Sequence, residues 1–520
     1  MGLNRRQILG GGLILSAPAL WPAGAAFAGT PDPFTLGVAS GDPSSDGFVI
    51  WTKLVPYPLG RTGEGLQARV PVRWEVAADD SFRQIVASGT APADERLGHS
   101  VHVEVEGLRP DRPYWYRFTA LGYQSQAGRA RTAPLKGARI DHLRLGFASC
   151  AHYELGYFSA YRHMAEEDFD LVLFLGDYIY EYSLGPDRAD QVVRPYGLPE
   201  AHTLEDYRAR YSLHRLDKDL QALHASAPFI VTWDDHEVED DYSAQWSKIE
   251  GIEPVDFNRR RAAAYQAYYE YMPLRRSAIP KDFEMQLYRM ISYGDLAEFY
   301  VLDGRQHRSI QPCLDNPRHG KGHVARDSCE DLHDPTRSML GEVQEQWLYD
   351  GFRRVSATWN IVAQNLLVAP LRASLPPNEA MWWTDTWDGY AAGRTRLLEA
   401  MAATKLNNPV VLTGDYHSFF TSELSLDPFD PASKAVAVEF AGTSITSNGP
   451  SFDNITRVLP ANPHIKFFDS RERGYVAIDL TPERLEARLQ VISDRRDPAA
   501  TVSTLKTHTV EAGRAGLSEG

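Results

Sequence analysis

The chain has 520 residues, which is too long for one ordinary hydrophobic core and predicts two or three domains. Apolar residues make up 43% of the sequence and charged residues 24%, which is the composition of a folded globular protein. The net charge of -15 excludes general binding to nucleic acid, because such binding needs a basic surface that displaces phosphate counterions.

Residues 1–28 are predicted to be an export signal that is removed from the mature protein. Arg5 and Arg6 precede a weakly apolar stretch that ends in an A-x-A type of cleavage site at Ala28. Paired arginines in this position resemble a twin-arginine signal, and an ordinary secretory signal is the alternative. No other stretch has the roughly 20 apolar residues needed to cross a bilayer. We therefore expect a periplasmic or secreted protein that uses the twin-arginine export machinery and has no integral membrane segment.

Residues 29–136 are predicted to form an antiparallel β-sandwich of the fibronectin III or immunoglobulin type. Short runs of alternating apolar residues recur at regular spacing, and turn residues such as Asp42-Pro43 separate them. The segment GLRPDRPYWYRF is similar to the tyrosine corner of fibronectin type III domains, where a tyrosine hydroxyl holds the backbone near the start of a strand. No cluster of acidic, histidine or cysteine residues stands out, so we expect a structural or positioning role for this domain.

Residues 137–510 are predicted to form one large α/β domain. Continuous apolar runs, typical of strands buried on both faces, alternate with segments of helical periodicity. The runs are LRLGFASC, DLVLFLGD, FIVTW, AEFYVLD, WNIVAQNLLV and PVVLTGD. This alternation predicts a two-layer or three-layer domain with insertions at 182–225 and 310–338, closed by an antiparallel strand pair and a polar tail. Cys313 and Cys329 lie close together in an exported chain, which predicts a disulfide.

Four of the apolar runs stop at residues that can bind a metal ion. These residues are, in chain order, Cys150, Asp177, Tyr180, Asp234, Asp235, His236, Asp415 and His417. In an open α/β sheet, ligands bind outside the carboxyl ends of the strands, so side chains placed there converge although they are distant in sequence. Any one of them alone has a simpler interpretation as a solvated loop residue or a helix N-cap. Four such strand ends together predict one shared site.

The mixture of donor atoms in this site predicts two unlike cations. A carboxylate such as Asp177 can bridge two cations ~3.5–4 Å apart, which is the separation in two-metal hydrolases. A thiolate at Cys150 and a phenolate at Tyr180 favour a trivalent or redox-capable iron, whereas carboxylates favour a hard cation such as Ca²⁺. The acidic run DDHEVEDD, which contains Asp240 and Asp241, is therefore predicted to lie near such a cation, and a solvated acidic face is the alternative.

The motifs FASC, GDYIYEY, TWDDHEVE, LDGRQHR, TGDYHS and EFAGTSITSNG together resemble the alkaline phosphatase D family of calcineurin-like metallophosphoesterases, which is related to certain secreted phospholipases D. The resemblance covers nearly the whole chain. It implies a metallophosphoesterase sandwich core as the catalytic domain, and an exported phosphomonoesterase or phosphodiesterase that pairs Fe³⁺ with Ca²⁺. The motif positions that match imply the metal ligands Cys150, Asp177, Tyr180, Asp235, Asp415 and His417.

The resemblance also implies that His236 assists the leaving group. Similar proteins usually read Asn-Asn where this chain has Asp240-Asp241, so the calcium side is more acidic here. Asp240 is included in the predicted ligand set, and Asp235, Asp240 and Asp241 are alternatives for the residue that contacts calcium.

The sequence therefore predicts a monomeric enzyme that hydrolyses small phosphate esters by a metal-bound hydroxide at an Fe³⁺/Ca²⁺ centre. His236 is predicted to be the general acid or a phosphate-positioning group. Two alternatives stay open. One is a phospholipase D-like diesterase that acts on lipid headgroups, and the other is a non-catalytic cell-surface binding protein with a structural metal site.

Overall fold

The computed structural model of the chain describes residues 30–316, 319–320, 322–325, 328–373, 381–430 and 432–518. The predicted signal peptide, residues 1–28, lies outside the described residues. None of the helices in the described part of the chain has the length and apolarity that a bilayer-crossing segment requires.

Strands and helices alternate along most of the described chain. The strands are β1 (Val38–Ser44), β2 (Gly47–Lys53), β3 (Arg69–Ala77), β4 (Ile85–Asp94), β5 (Ser100–Val105), β6 (Pro113–Ala120), β7 (Tyr123–Gln124), β8 (Gly128–Arg131), β9 (Leu143–Ala148), β10 (Leu171–Leu175), β11 (Pro228–Thr232), β12 (Arg289–Tyr293), β13 (Ala297–Val301), β14 (Leu314–Asn316), β15 (His319–Gly320), β16 (His323–Ala325), β17 (Trp359–Ala363), β18 (Met381–Trp383), β19 (Pro409–Thr413), β20 (Phe419–Ser425), β21 (Ala435–Ala441), β22 (Ile465–Asp469), β23 (Gly474–Leu480), β24 (Arg484–Ile492) and β25 (Val502–Glu511). The helices are α1 (Ser159–Glu166), α2 (Leu204–Arg215), α3 (Lys218–Ser226), α4 (Pro254–Tyr271), α5 (Gly341–Arg354), α6 (Ala391–Thr404) and α7 (Phe452–Val458).

Two large sheets pack face to face at the centre of the molecule. One has nine strands in the order β25-β24-β23-β9-β10-β11-β1-β2-β5, and the other has seven in the order β12-β13-β17-β19-β21-β20-β22. Apolar side chains fill the space between them, for example Leu145 and Leu173 from the first sheet and Ile361 and Leu412 from the second. Such burial of apolar surface is the main stabilising contribution to the fold.

Helices cover the outer face of each sheet, so the core has four layers. Phe174 of the nine-stranded sheet packs in one cluster with Leu223 of α3 and Tyr268 of α4. Val362 of the seven-stranded sheet packs with Leu348 of α5. The prediction of two or three layers is therefore wrong. A continuous apolar strand shows that both of its faces are buried, but it does not tell whether a helix or a second sheet covers each face.

The N-terminal strands do not form a separate pair of sheets. β1, β2 and β5 extend the nine-stranded sheet, because Ser40 of β1 pairs in parallel with Pro228 of β11. A five-stranded sheet of β3, β4, β6, β7 and β8 packs against this extension through one shared apolar cluster. One layer of the predicted sandwich is thus continuous with a sheet of the larger predicted domain, and the boundary between domains 29–136 and 137–510 stays a prediction.

Two local predictions for this region have opposite outcomes. The tyrosine corner is confirmed, because Tyr114 Oη lies 2.9 Å from the Arg109 amide nitrogen, which donates to it. The predicted turn at Asp42-Pro43 is wrong. Both residues lie inside β1, where Asp42 has a φ of 44° and the pairing register with β2 shifts. A residue with left-handed backbone inside a strand marks a β-bulge. Bulges and turns use the same residue types, so the sequence does not distinguish them here.

Three further predictions concern the insertion at 182–225, the C-terminal tail and the disulfide. The insertion at 182–225 contains α2 and α3, which belong to the helical layer. The predicted polar tail is wrong in part, because β25 pairs with β24 and extends the closing strand pair. The predicted disulfide between Cys313 and Cys329 is confirmed, with Cα atoms 5.6 Å apart, and Cys150 is a free, buried cysteine.

Candidate metal centre

The predicted strand ends meet at one place, where the carboxyl edges of the two large sheets adjoin. β9, β10 and β11 lie in the nine-stranded sheet, and β19 lies in the seven-stranded sheet. Cys150, Asp177, Asp415 and His417, which follow three of these strands, all have left-handed backbone, with φ between 54° and 61°. Non-glycine residues avoid this region, and such strain clusters at functional sites.

Two glycines allow the strand ends to approach each other closely. A Cβ atom on Gly176 would lie 2.4 Å from Asp234 Cβ, and Gly176 has a φ of 101°. A Cβ atom on Gly414 would lie 2.5 Å from Ser149 Oγ. Only glycine fits both positions, which explains why each of these strands ends in Gly-Asp.

A first group of potential metal ligands contains a thiol, a carboxylate and an imidazole. Cys150, Asp177 and His417 each offer a donor atom within 4.8 Å of the others. Tyr180 joins them, because its hydroxyl donates to Asp177 Oδ2 at 2.9 Å and lies 3.0 Å from His417 Nε2. Ser447 Oγ donates to the same tyrosine oxygen at 2.7 Å. The structure therefore brings Cys150 and Tyr180, the residues that the sequence predicts on iron, together with two further predicted metal ligands, Asp177 and His417.

A second group shares Asp177 with the first, and a third and a fourth group each share Asp235 with the second. Asp177, Asp235 and His236 form the second group, Asp234, Asp235 and Asp415 form the third, and Asp235, Asp240 and Asp241 form the fourth. Because Asp177 belongs to two groups and Asp235 to three, the groups are contiguous. This is the arrangement that a carboxylate bridging two cations requires.

Asp240 and Asp241 lie at the edge of this region. Both offer donor atoms within 4.8 Å of Asp235. The Lys248 ammonium contacts both carboxylates, at 3.0 Å for Asp241 Oδ2. Asp240 is 44% exposed at its side chain, so it is more accessible to solvent than the buried Asp235. Asp240 is therefore placed beside the centre, with an ammonium group as its partner.

His236 is held by a hydrogen-bonded carboxylate and by aromatic contacts. Its Nδ1 lies 2.8 Å from Glu181 Oε2, which leaves Nε2 on the side of the ring nearer to Asp240, 3.6 Å from its Oδ1. The ring lies 4.1 Å from that of Tyr180. A carboxylate on one nitrogen fixes the tautomer and orientation of the other nitrogen, as in many catalytic histidines.

Burial in this region disfavours the anionic forms of the predicted ligands. It raises the pKa of Cys150, Tyr180 and Asp177 well above their ordinary values, and it raises the pKa of Asp234 to about 6. Burial also lowers the pKa of His417 to about 3. Asp235 is the exception, because the charge of Arg305 outweighs burial and lowers its pKa. The raised pKa values of the other acids fit a site that binds cations.

Buried carboxylate oxygens without a hydrogen-bond donor support the same interpretation. Asp177 Oδ1, Asp234 Oδ2 and Asp235 Oδ1 are buried and have no hydrogen-bond donor in the described residues. Buried polar atoms without partners are rare and costly in native proteins. Carboxylate oxygens of this kind are the ligands that hard cations prefer. The residues present therefore fit a centre that holds metal ions.

Several residues of the centre were missed in the sequence analysis. Arg305 is fully buried, with its guanidinium against Asp234 and 2.8 Å from Asp385 Oδ2. Asn365 donates to the same Asp234 oxygen that Arg305 contacts. Asn365 follows β17, so the rule of polar residues at strand ends could have found it. Asp385 has no such local signal.

Glu237 is a further missed residue, and it supports the ligands from behind. Its carboxylate accepts hydrogen bonds from the amides of Asp177 at 3.0 Å, Tyr178 at 2.5 Å and Asp234 at 2.7 Å. One side chain thus joins the ends of β10 and β11. The sequence interpretation of the DDHE motif ended at His236, although Glu237 holds the backbone of two residues whose carboxylates belong to the ligand groups.

Comparisons with known proteins identify the family to which the chain belongs. The family model described as PhoD-like phosphatase matches residues 145–489, and that of the PhoD-like phosphatase N-terminal domain matches residues 20–134. The chain is 45% identical over 493 residues to alkaline phosphatase D of Bacillus subtilis, covering 93% of this chain and 82% of that protein. A solved structure described as that of PhoD has a TM-score of 0.88 at 44% identity, covering 94% of this chain and 92% of the other. The resemblance inferred from the motifs is confirmed: the chain belongs to the PhoD-like phosphatase family and is a phosphoric ester hydrolase.

Proposed function

We propose that this protein is an exported hydrolase of small phosphate esters that works at a heteronuclear Fe³⁺/Ca²⁺ centre in a metallophosphoesterase core. The observation that carries the proposal is the set of contiguous ligand groups that are linked by Asp177 and Asp235 and contain buried carboxylate oxygens without a hydrogen-bond donor among the described residues. Its family membership supports the reaction class. Bound cations would neutralise the charge of the phosphate and lower the pKa of a water molecule.

The donor types divide the centre into two sides. Cys150, Tyr180 and His417 surround Asp177 on one side, and soft or strongly donating anions of this kind favour iron. The other side offers carboxylates from Asp235 and its neighbours, including the predicted ligands Asp415 and Asp240, and oxygen donors favour calcium. Asp177 would contribute to both sides.

The side chains around His236 support a role in proton transfer to the leaving group. Glu181 fixes Nδ1, so Nε2 is free to face a substrate held beside Asp235. Burial lowers the pKa of His236, but the charges of Asp235, Glu181 and Asp177 outweigh burial and raise the pKa well above its ordinary value. A protonated imidazole in this position can donate to a leaving oxygen or hold a phosphate oxygen.

Export by the twin-arginine route is part of the proposal. It is supported by Arg5-Arg6, by the cleavage motif at Ala28 and by the disulfide, which forms stably in an oxidising compartment. Folded export would allow metal loading before translocation. Replacement of Arg5-Arg6 by Lys-Lys should retain the precursor in the cytoplasm, and undiminished export of that variant would contradict the route.

Steady-state rates on a phosphomonoester, a phosphodiester and phosphatidylcholine test the proposed reaction. We expect hydrolysis of the small esters, loss of activity with a calcium-selective chelator, and recovery when Ca²⁺ is added. Activity that survives exhaustive calcium removal would contradict the calcium assignment. A marked preference for phosphatidylcholine would instead favour the phospholipase D-like alternative.

The iron assignment has a separate spectroscopic test. Phenolate or thiolate bound to Fe³⁺ absorbs visible light by charge transfer, whereas closed-shell Zn²⁺ gives no such band. The purified protein should be coloured, and Tyr180→Phe should shift or weaken the band. A colourless and fully active protein with stoichiometric zinc would refute iron and leave the hydrolase in place.

A further inference from the structure

The side-chain oxygen of Tyr180 has three polar neighbours, and two of them are predicted metal ligands. The hydroxyl donates to Asp177 Oδ2 at 2.9 Å, and His417 Nε2 lies 3.0 Å away. The third neighbour is Ser447 Oγ, at 2.7 Å, which belongs to none of the ligand groups among the described residues. When the first two neighbours bind a cation, Ser447 is the one of the three that is left to form a hydrogen bond with Tyr180.

The hydroxyl hydrogen of Ser447 has two acceptors within reach. Ser447 Oγ lies 2.7 Å from Tyr180 Oη and 3.0 Å from the Cys150 carbonyl oxygen. That carbonyl oxygen also accepts from the backbone amides of Thr446 and Ser447, at 3.4 Å each. The contact with Tyr180 is the shorter one, and a tyrosine oxygen that binds a cation as an anion has no proton and can only accept. These contacts favour a hydrogen bond from Ser447 to Tyr180.

Burial makes this hydrogen bond important for Tyr180. Tyr180 and Ser447 are 1% and 2% exposed, so bulk water does not reach their contact. The rings of His152 and His236 flank the tyrosine ring, with centroids 4.4 and 4.1 Å away. A hydrogen bond to an anionic oxygen is stronger than a bond between neutral groups, and a buried environment strengthens it further. Loss of the Ser447 hydroxyl should therefore have a measurable effect at the tyrosine oxygen.

The loop that carries Ser447 is held in place on both sides of this residue. Ser444 Oγ donates to the Ser447 carbonyl oxygen at 2.6 Å, and Asn448 Nδ2 donates to Gln191 Oε1 at 2.9 Å. The Asn448 carbonyl oxygen lies 2.7 Å from His417 Nδ1. A carbonyl acceptor at this nitrogen fixes the tautomer that leaves Nε2 free to bind a cation. One loop thus contacts two predicted ligands, and its serine hydroxyl is oriented before any ligand binds.

We propose that Ser447 is a positioning residue that donates a hydrogen bond to the metal-binding oxygen of Tyr180 and thereby limits the electron density that this oxygen gives to the cation. The inference rests on the proposed iron centre and deepens it. Hydrogen bonds to metal-bound sulfur tune the potentials of copper and iron–sulfur sites in the same way, because they withdraw electron density from the donor atom. Removal of the Ser447 hydroxyl should make Tyr180 a stronger donor.

The visible spectrum and the iron potential of purified, metal-loaded Ser447→Ala test this role. The charge-transfer band should move to longer wavelength, because the electrons of the tyrosine oxygen rise in energy when the hydrogen bond is lost. A stronger anionic donor also stabilises Fe³⁺ relative to Fe²⁺, so the midpoint potential should fall below that of the wild type. A reductive titration followed at the band measures this potential. Iron content, measured by elemental analysis, should equal that of the wild type, because no ligand is removed.

Ser444→Ala is the matched control, because it also removes one buried hydroxyl from the same loop. Ser444 Oγ donates to a backbone oxygen, that of Ser447, and the control should keep the band and the potential of the wild type. A second comparison adds Ser447→Ala to Tyr180→Phe. The double variant should have the same spectrum as Tyr180→Phe alone, because two residues that act through one shared contact do not have additive effects.

The possible results separate this inference from the proposed function. A band at the wild-type wavelength in Ser447→Ala, or an equal shift in Ser444→Ala, would overturn the role of Ser447 and leave the iron centre in place. Loss of iron from Ser447→Ala would also overturn it, because that result would show that the serine holds the site together and does not act on the tyrosine oxygen. A colourless wild type would overturn the iron assignment and this inference with it.

Discussion

Replacement of Glu237 by glutamine should weaken metal binding without removing any ligand. The carboxylate accepts from the amides of Asp177 and Asp234 through Oε2 and from the amide of Tyr178 through Oε1. Glutamine has the same size but carries no charge and has only one acceptor atom. It can keep the two bonds at Oε2, and its NH₂ group then faces the Tyr178 N–H.

The expected magnitude follows from these contacts. The bond from the Tyr178 amide is lost, and that N–H then faces the NH₂ group of the glutamine without an acceptor. The bonds from the amides of Asp177 and Asp234 weaken because the acceptor is no longer charged. Together these changes cost about 2–4 kcal/mol of stability. The same bonds position Asp177 and Asp234. Groups that orient metal ligands from behind typically change metal affinity or activity by about 10–100-fold when they are replaced.

Calcium titration and urea unfolding of Glu237→Gln measure both effects, and Glu439→Gln is a close control. Glu439 is also buried, accepts amide hydrogens from Val368 at 2.7 Å and Ala369 at 2.8 Å, and belongs to no ligand group among the described residues. Burial raises the pKa of both glutamates to about 7. The control should lose stability and keep its calcium affinity. Unchanged affinity in Glu237→Gln, or an equal loss in both variants, would refute the reasoning.

Two further predictions concern stability away from the centre. Lys53 is buried 3.1 Å from Glu270, and burial lowers its pKa from 10.5 to about 8. Between pH 8 and 10.5 the Lys53 side chain is neutral in the native state and protonated in the unfolded chain. The free energy of unfolding of the wild type should therefore rise with pH over this range, by up to ~3 kcal/mol relative to that of Lys53→Met. Urea unfolding at pH 7 and pH 10 measures this, and a difference independent of pH contradicts it. Cys313→Ser should lower the melting temperature, by an amount equivalent to ~3 kcal/mol, without changing metal content, and an unchanged melting temperature counts against a stabilising disulfide.

The position of the centre could be predicted because it depends on one general property of α/β sheets. Apolar runs that end in Cys150, Asp177 or Asp415 mark strand ends, and strand ends of parallel sheets meet at a common edge. The prediction holds although Asp415 follows a strand of the second sheet, because the carboxyl edges of the two sheets adjoin. The same rule was not applied at Asn365, because Leu366, Leu367 and Val368 follow it and the whole segment WNIVAQNLLV was interpreted as one strand.

The parts that could not be predicted depend on contacts between distant segments. Asp385 belongs to the site only because Arg305 and Arg308, 80 and 77 residues away, reach its carboxylate. The pairing of β1 with β11 is of the same kind, since the short β1 carries no signal for its partner. Local sequence patterns report burial and turn chemistry, whereas long-range partners are chosen by the packing of the whole fold.

The central claim is that one shared carboxylate, Asp177, joins two unlike cations into a single hydrolytic centre. Elemental analysis of purified wild type and Asp177→Ala, with phosphomonoester turnover measured on the same samples, tests it most directly. The account predicts iron and calcium together in the wild type, and the loss of both metals and of nearly all activity in the variant. Asp177→Ala that retains both metals and near-normal turnover would contradict it.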